Sequence, residues 1–190
     1  DSGRTTIIPA RKIGAEIFLG DLGFMRGYAA FDVASARGDM IFHLDEHLVR
    51  LCSSVSGLGL REPSVINPLG AQFESFKNQL KNLLTSTGFS ASLLWVYVTA
   101  GISSNGFTPL GCPRILVMVS RFNEESLCDE QGISARSVNA VRQMPEIKCV
   151  ADYALAEVML ARFAPQGFDE ILYSSHGAFF ELSRKNFFLV

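Results

Sequence analysis

An α+β fold is predicted by three features of the sequence. Two runs rich in β-formers, "SLLWVYVTAG" and "RILVMVSRF", flank a loop-like "ISSNGFTPLGCP". Two segments ahead of them carry apolar residues at helical spacing. A third helical segment and three short extended runs then close the chain.

Composition agrees with a well-buried globular protein. Of 190 residues, 48% are hydrophobic and 19% charged, enough for one generous domain or two small ones. The net charge of −2 suggests neither nucleic acid nor an anionic membrane as partner. No apolar run approaches the roughly 20 residues that span a bilayer. "DSGRTTIIPARKIG" lacks the apolar stretch of a secretion signal, so a cytoplasmic setting is expected, with organellar targeting left open.

Taken in order, "FDVASARGDMIFHL" reads as two extended runs joined at Arg37-Gly38-Asp39. Asp45 is expected to cap a helix bearing Leu48, Leu51, Cys52, Val55 and Leu58, ended by Gly57 and Gly59. A second helix is expected over 71–84, burying Phe73, Phe76, Leu80, Leu83 and Leu84. The strands over 92–101 and 114–122 follow, then "GISARSV" as a further strand. A helix after Lys148 is expected to bury Ala151, Ala154, Leu155, Val158 and Met159, closing near Pro165-Gln166-Gly167. "DEILYSS", "AFFEL" and "NFFLV" read as the closing strands. The acidic "NEESLCDEQG" is the expected boundary, dividing the chain into 1–126 and 127–190.

The short chemical motifs are silent. Four cysteines (52, 112, 128, 149) form no CxxC pair, and three histidines (43, 47, 176) lack zinc-helix spacing, so reduced thiols and no metal are expected. There is no Walker loop, GxSxG or GxGxxG. One lysine stands out. Lys148 follows Ile147 where an extended segment gives way to an apolar helix, and a buried cation is costly unless it does chemistry or finds a partner.

"IKCVADY", followed by "GFDEILYSSHGAFFELSRKNFFLV", resembles the second half of the fold-type IV (class IV) pyridoxal-phosphate enzymes. That family includes branched-chain and D-amino acid aminotransferases and aminodeoxychorismate lyase. "DLGFMRGYAAFDVASARGDMIFHLDEHLVRL" is similar to its first half, including a histidine–x–x–arginine–leucine helix at His47 to Leu51. The resemblance runs from about Ile7 to Val190 and implies a two-domain fold-type IV architecture with pyridoxal 5'-phosphate as cofactor.

The resemblance also implies roles. Lys148 matches the lysine that forms the internal Schiff base; an amine attacks a carbonyl only when deprotonated, and desolvation favours that form. Tyr153 matches the tyrosine that hydrogen-bonds the cofactor's phenolic oxygen. Glu181 matches the carboxylate facing the pyridine nitrogen, where negative charge supports the electron sink. The alternation in "GAFFEL" places Glu181 on one face with Phe179. Arg50 matches the arginine on the cofactor phosphate and shares a helix face with His47 and Ser54. Asn186, in "SRKNF", matches the turn that helps seat the cofactor.

Three departures accompany the match. The family's chains continue past the position of Val190 into a threonine-bearing loop that completes the phosphate cup, so the second domain is expected to be incomplete here. Cys149 and Asp152 stand where the pattern has serine or threonine, and asparagine. The arginines that read substrate in the well-known branches are missing near Trp95 and at Ala100, which makes Arg26 the candidate for a substrate carboxylate. The implied activity is ping-pong transamination between an amino acid and a 2-oxo acid by a homodimer. A lyase of the same fold and a shortened, non-catalytic relative are the rival readings.

Overall fold

The computed structural model describes residues 19–123 and 132–188. A short helix the sequence did not announce comes first. This α1 (Leu22–Arg26) is capped by the Asp21 carboxylate, which accepts from the Gly23 N–H at 2.8 Å, and it ends at Gly27. Gly27 has φ +65°, and a Cβ there would stand 3.1 Å from the Ala151 Cβ. Glycine therefore serves both the left-handed turn and a close approach to a distant helix.

β1 (Ala29–Arg37) and β2 (Met40–Ile41) form the expected hairpin around Gly38. β3 (Ala91–Thr99) pairs antiparallel with β1, and β4 (Arg114–Arg121) with β3, giving a four-stranded sheet in the order β2-β1-β3-β4. Alternation in β3 turns Leu94, Val96 and Val98 to one face. There they join α2 (Leu44–Gly57) and α3 (Phe73–Thr87) in a core built on Leu48, Leu51, Val55 and Leu80. Trp95 and Tyr97 take the opposite face.

α2 starts one residue before the expected cap. His43, in a left-handed conformation (φ 48°), occupies the cap position without a side-chain bond to the helix backbone, its ring meeting Glu46 instead, and Asp45 lies in the first turn. Burial of Leu44 draws the chain into the helix early, while Asp45 and Glu46 favour its positive end. α3 lies two to three residues later than expected but buries the anticipated Phe73, Phe76, Leu80 and Leu84.

β5 (Ala135–Asn139) leads through residues 140–149 into α4 (Val150–Phe163), a 3-10 turn over Ala164–Gln166, and then β6 (Glu170–Ser175) and β7 (Ala178–Leu182). β5 and β6 are parallel and β7 antiparallel, making a three-stranded sheet in the order β5-β6-β7. α4 packs on it through Ala156 and Leu160, against Val138, Ile171 and Tyr173. The expected face is corrected: Ala154, Leu155 and Val158 are exposed. The helix is apolar on most sides, so its periodicity gives no direction to the buried one.

Two further expectations change. Asn186 to Phe188 form no strand ladder, because β7 meets no further strand among the described residues; the rest of "NFFLV" and the 126/127 boundary lie outside those residues. The pairing of β6 with β7 slips at Tyr173/Ser174, so Glu181 stands opposite Tyr173 while Phe179 stands opposite Ser174. Opposed residues share a face and successive ones do not. The bulge therefore separates Glu181 from Phe179. Among the described residues, no helix is long and apolar enough to cross a membrane.

Candidate functional site

Lys148 is fixed by its backbone. Its N–H donates to the Ser54 hydroxyl at 3.1 Å, and its carbonyl accepts from the Phe31 N–H at 3.0 Å. Ser54 is fully buried on α2. The next residue, Cys149, bridges antiparallel to Ala30, so the segment adds to the free edge of β1. Ile147, buried, presses on the last residue of α2; a Cβ at Gly57 would stand 2.7 Å from the Ile147 Cδ1. The small residue lets the segment approach the helix end.

The register sends the lysine side chain to the Phe31 face of the sheet. Its Nζ lies 5.0 Å from the Phe31 ring centroid and donates to the Tyr153 hydroxyl at 3.0 Å. Tyr153, on the first turn of α4, sits edge-on to Phe31 with centroids 4.8 Å apart. Amine and phenol thus meet on an aromatic floor. The expected pair, Lys148 and Tyr153, is brought together.

Glu181 joins them through Arg142, a residue the sequence did not single out. Arg142 donates to both Glu181 oxygens, Nε at 2.8 Å and Nη2 at 2.6 Å, and its guanidinium carbon stands 5.2 Å from the Tyr153 ring centroid. Burial alone would lower the Arg142 pKa, but the bond to Glu181 and the nearby Tyr153 and Glu181 charges turn the shift upward. Its Nη1 is buried without a hydrogen-bond partner. The Asp152 Oδ2 is likewise buried and unpartnered, and burial pushes that carboxyl up against the lowering effect of Arg142.

Arg50 is met by a second unforeseen residue. Asp32 on β1, 3% exposed, accepts from Arg50 Nε and Nη2, both at 2.7 Å, and stands 2.8 Å from the His47 Nδ1. Burial raises the Asp32 pKa, yet Arg50 and His47 outweigh it and hold the carboxyl below its ordinary value. The α2 face therefore serves both halves of the site. His47 and Arg50 converge on Asp32, and Ser54 holds Lys148.

The two remaining candidates meet other surroundings. Arg26 donates from Nε to the Gly106 carbonyl at 3.1 Å and stacks 4.2 Å over Phe107. Asn186 is exposed. The turn before it is tethered by Glu170, fully buried, which accepts from the Ser183 hydroxyl and lies 3.7 Å from Arg184 Nε and 3.6 Å from Lys185 Nζ.

The fold is that of known structures. A hypothetical aminotransferase from Mycobacterium tuberculosis, in its PLP-bound form, superposes with a TM-score of 0.68 at 21% identity, over 97% of this chain and 62% of that one. A Thermoproteus uzoniensis branched-chain aminotransferase with norvaline gives 0.71 at 17% identity, over 90% and 59%. A Legionella pneumophila protein assigned as 4-amino-4-deoxychorismate lyase gives 0.72 at 15%, over 90% and 62%. The chain thus spans about 60% of the length of these structures. No curated protein sequence matches it. The family model for amino-transferase class IV matches residues 29–190, most of the chain, and the chain belongs to that family.

Proposed function

We propose that the protein is a pyridoxal-phosphate-dependent aminotransferase that moves an amino group between an amino acid and a 2-oxo acid. The observation that carries the reading is the Lys148 amine 3.0 Å from the Tyr153 hydroxyl, beside the Arg142–Glu181 pair. The residues fit the cofactor. An amine, a phenol, a carboxylate and the Arg50 cation answer its aldehyde, phenolic oxygen, ring nitrogen and phosphate, and the buried, unpartnered Arg142 Nη1 and Asp152 Oδ2 leave polar capacity beside them.

Bound there, the cofactor supplies an aldehyde and an electron sink for a bond broken at the substrate's α-carbon. Lys148 supplies the amine that holds it, and when released carries a proton to and from that carbon. Tyr153 orients the lysine Nζ by hydrogen bonding. Glu181 presents negative charge to the ring nitrogen, with Arg142 fixing its carboxylate. Arg50, aligned by Asp32, would take the phosphate, and the Asn186 turn would help seat the cofactor. Arg26 is the proposed partner of the substrate carboxylate. A homodimer is the assembly the resemblance implies.

Absorbance of the PLP-loaded full chain tests the reading. Addition of an amino acid should convert the bound cofactor to its amine form and release a 2-oxo acid, and a second 2-oxo acid should reverse the change. Release of the substrate's leaving group without the amine form would instead establish a lyase. Failure to bind PLP would contradict both.

A further inference from the structure

Lys148 stands at the head of a row of aromatic rings. Phe31 faces Tyr97 across the β1–β3 ladder, with stacked rings at a centroid distance of 5.7 Å. Tyr97 stacks in turn on Trp95, at 6.4 Å with 5° between planes. The three residues lie on the sheet face opposite the α2–α3 core, the face that carries the lysine Nζ. Phe31 is buried, whereas Tyr97 and Trp95 are half-buried and Met118, opposite Trp95, is exposed. The row therefore opens toward its far end.

The rings present uncharged faces. The Trp95 N–H already donates to the Ser120 hydroxyl at 3.1 Å, which leaves the indole its π surface. Burial raises the Tyr97 pKa, in keeping with apolar surroundings. A planar apolar group laid on such a row gains both area and ring-on-ring geometry, which favours centroid separations of about 4.5–7 Å. A carboxylate there would lose water and meet no cationic partner on the rings, whose remaining polar atom is the Tyr97 hydroxyl.

We propose that Phe31, Tyr97 and Trp95 form the side-chain subsite of the reaction, and that the preferred amino donor carries an aromatic side chain. This rests on the aminotransferase reading, with Lys148 fixing where the donor's α-carbon must lie. A donor held at the lysine can project its side chain along the row.

The chain contains a single tryptophan, so its fluorescence reports on Trp95 alone. 3-Phenylpropionate, a non-reacting mimic of an aromatic donor, should change that emission saturably in the full chain, with or without PLP. Glutarate and 4-methylpentanoate should need at least about tenfold higher concentration, equivalent to 1.4 kcal/mol. In the PLP-loaded chain, single-turnover amine formation should favour phenylalanine over glutamate and leucine. Tyr97→Phe should keep the preference and Tyr97→Leu should reduce it.

Equal responses to all three acids, or none, would overturn the subsite. So would emission that follows protein dilution and ignores the acids, which would mean a second copy covers the face. Aromatic-selective quenching without PLP attachment at Lys148 would support the ring site and strike the enzyme reading alone. PLP attachment without aromatic selectivity would do the reverse.

Discussion

Arg142 holds Glu181 through two parallel hydrogen bonds of 2.8 and 2.6 Å, across 39 residues of sequence. Paired N–H donors fix the carboxylate plane and keep its charge in place, which a single contact would not do. Arg142 is 10% exposed and Glu181 32%, so water screens the pair only in part.

Glu181→Gln keeps a hydrogen-bonding side chain and removes the negative charge. The expected result is retained PLP with a slower α-proton step, on the order of a hundredfold, the scale of a group acting in proton transfer. Single-turnover absorbance checks it. An unchanged rate would remove Glu181 from the ring nitrogen. Arg142→Ala should also slow the step while lowering stability, because it leaves the carboxylate without its fork.

Asp32→Asn should destabilise the protein by about 1–3 kcal/mol, the usual cost of leaving buried hydrogen-bonding groups poorly met. Asp32 has a lowered pKa in the folded chain, so its contribution is present above the unfolded value of about 3.9 and is lost as pH falls through the folded one. Denaturant melts of both proteins should therefore differ most above about pH 4 and converge in acid. The same change should weaken PLP retention if Asp32 aligns Arg50 for phosphate.

Asp152 behaves oppositely. Burial raises its folded pKa, so its ionised form costs stability as pH rises through that value. Asp152→Asn, which installs the residue usual in the family pattern, should raise the melting temperature at pH 7. The gain should vanish below about pH 4, where aspartate is protonated in both states. A gain that persists in acid would assign the effect to packing.

Much of this site is local in sequence and therefore legible. Lys148 and Tyr153 flank a helix start, so their side chains meet without long-range information. The α2 face with His47, Arg50 and Ser54 follows from helical spacing alone. The strands β3 and β4 announce themselves through β-forming residues, and Gly38 through its turn.

What escaped is non-local. Asp32 looks like one carboxylate in a strand until α2 folds over it, and Arg142 has no motif around it, since its partner lies on β7. The bulge at Tyr173/Ser174 overrode a simple count of two from Phe179 to Glu181. The apolar Phe187 and Phe188 suit a strand, but a strand also needs a neighbour, and β7 meets no further one among the described residues.

Lys148 is proposed as the amine that holds the cofactor. The full chain should be loaded with PLP, reduced with borohydride and digested, and the pyridoxyl group located by peptide mass spectrometry. One labelled peptide is expected, with the mass added at Lys148, and no such label in a Lys148→Ala variant that has also lost turnover. Label at Lys12, Lys77, Lys81 or Lys185 instead, or full turnover by the variant, would contradict it.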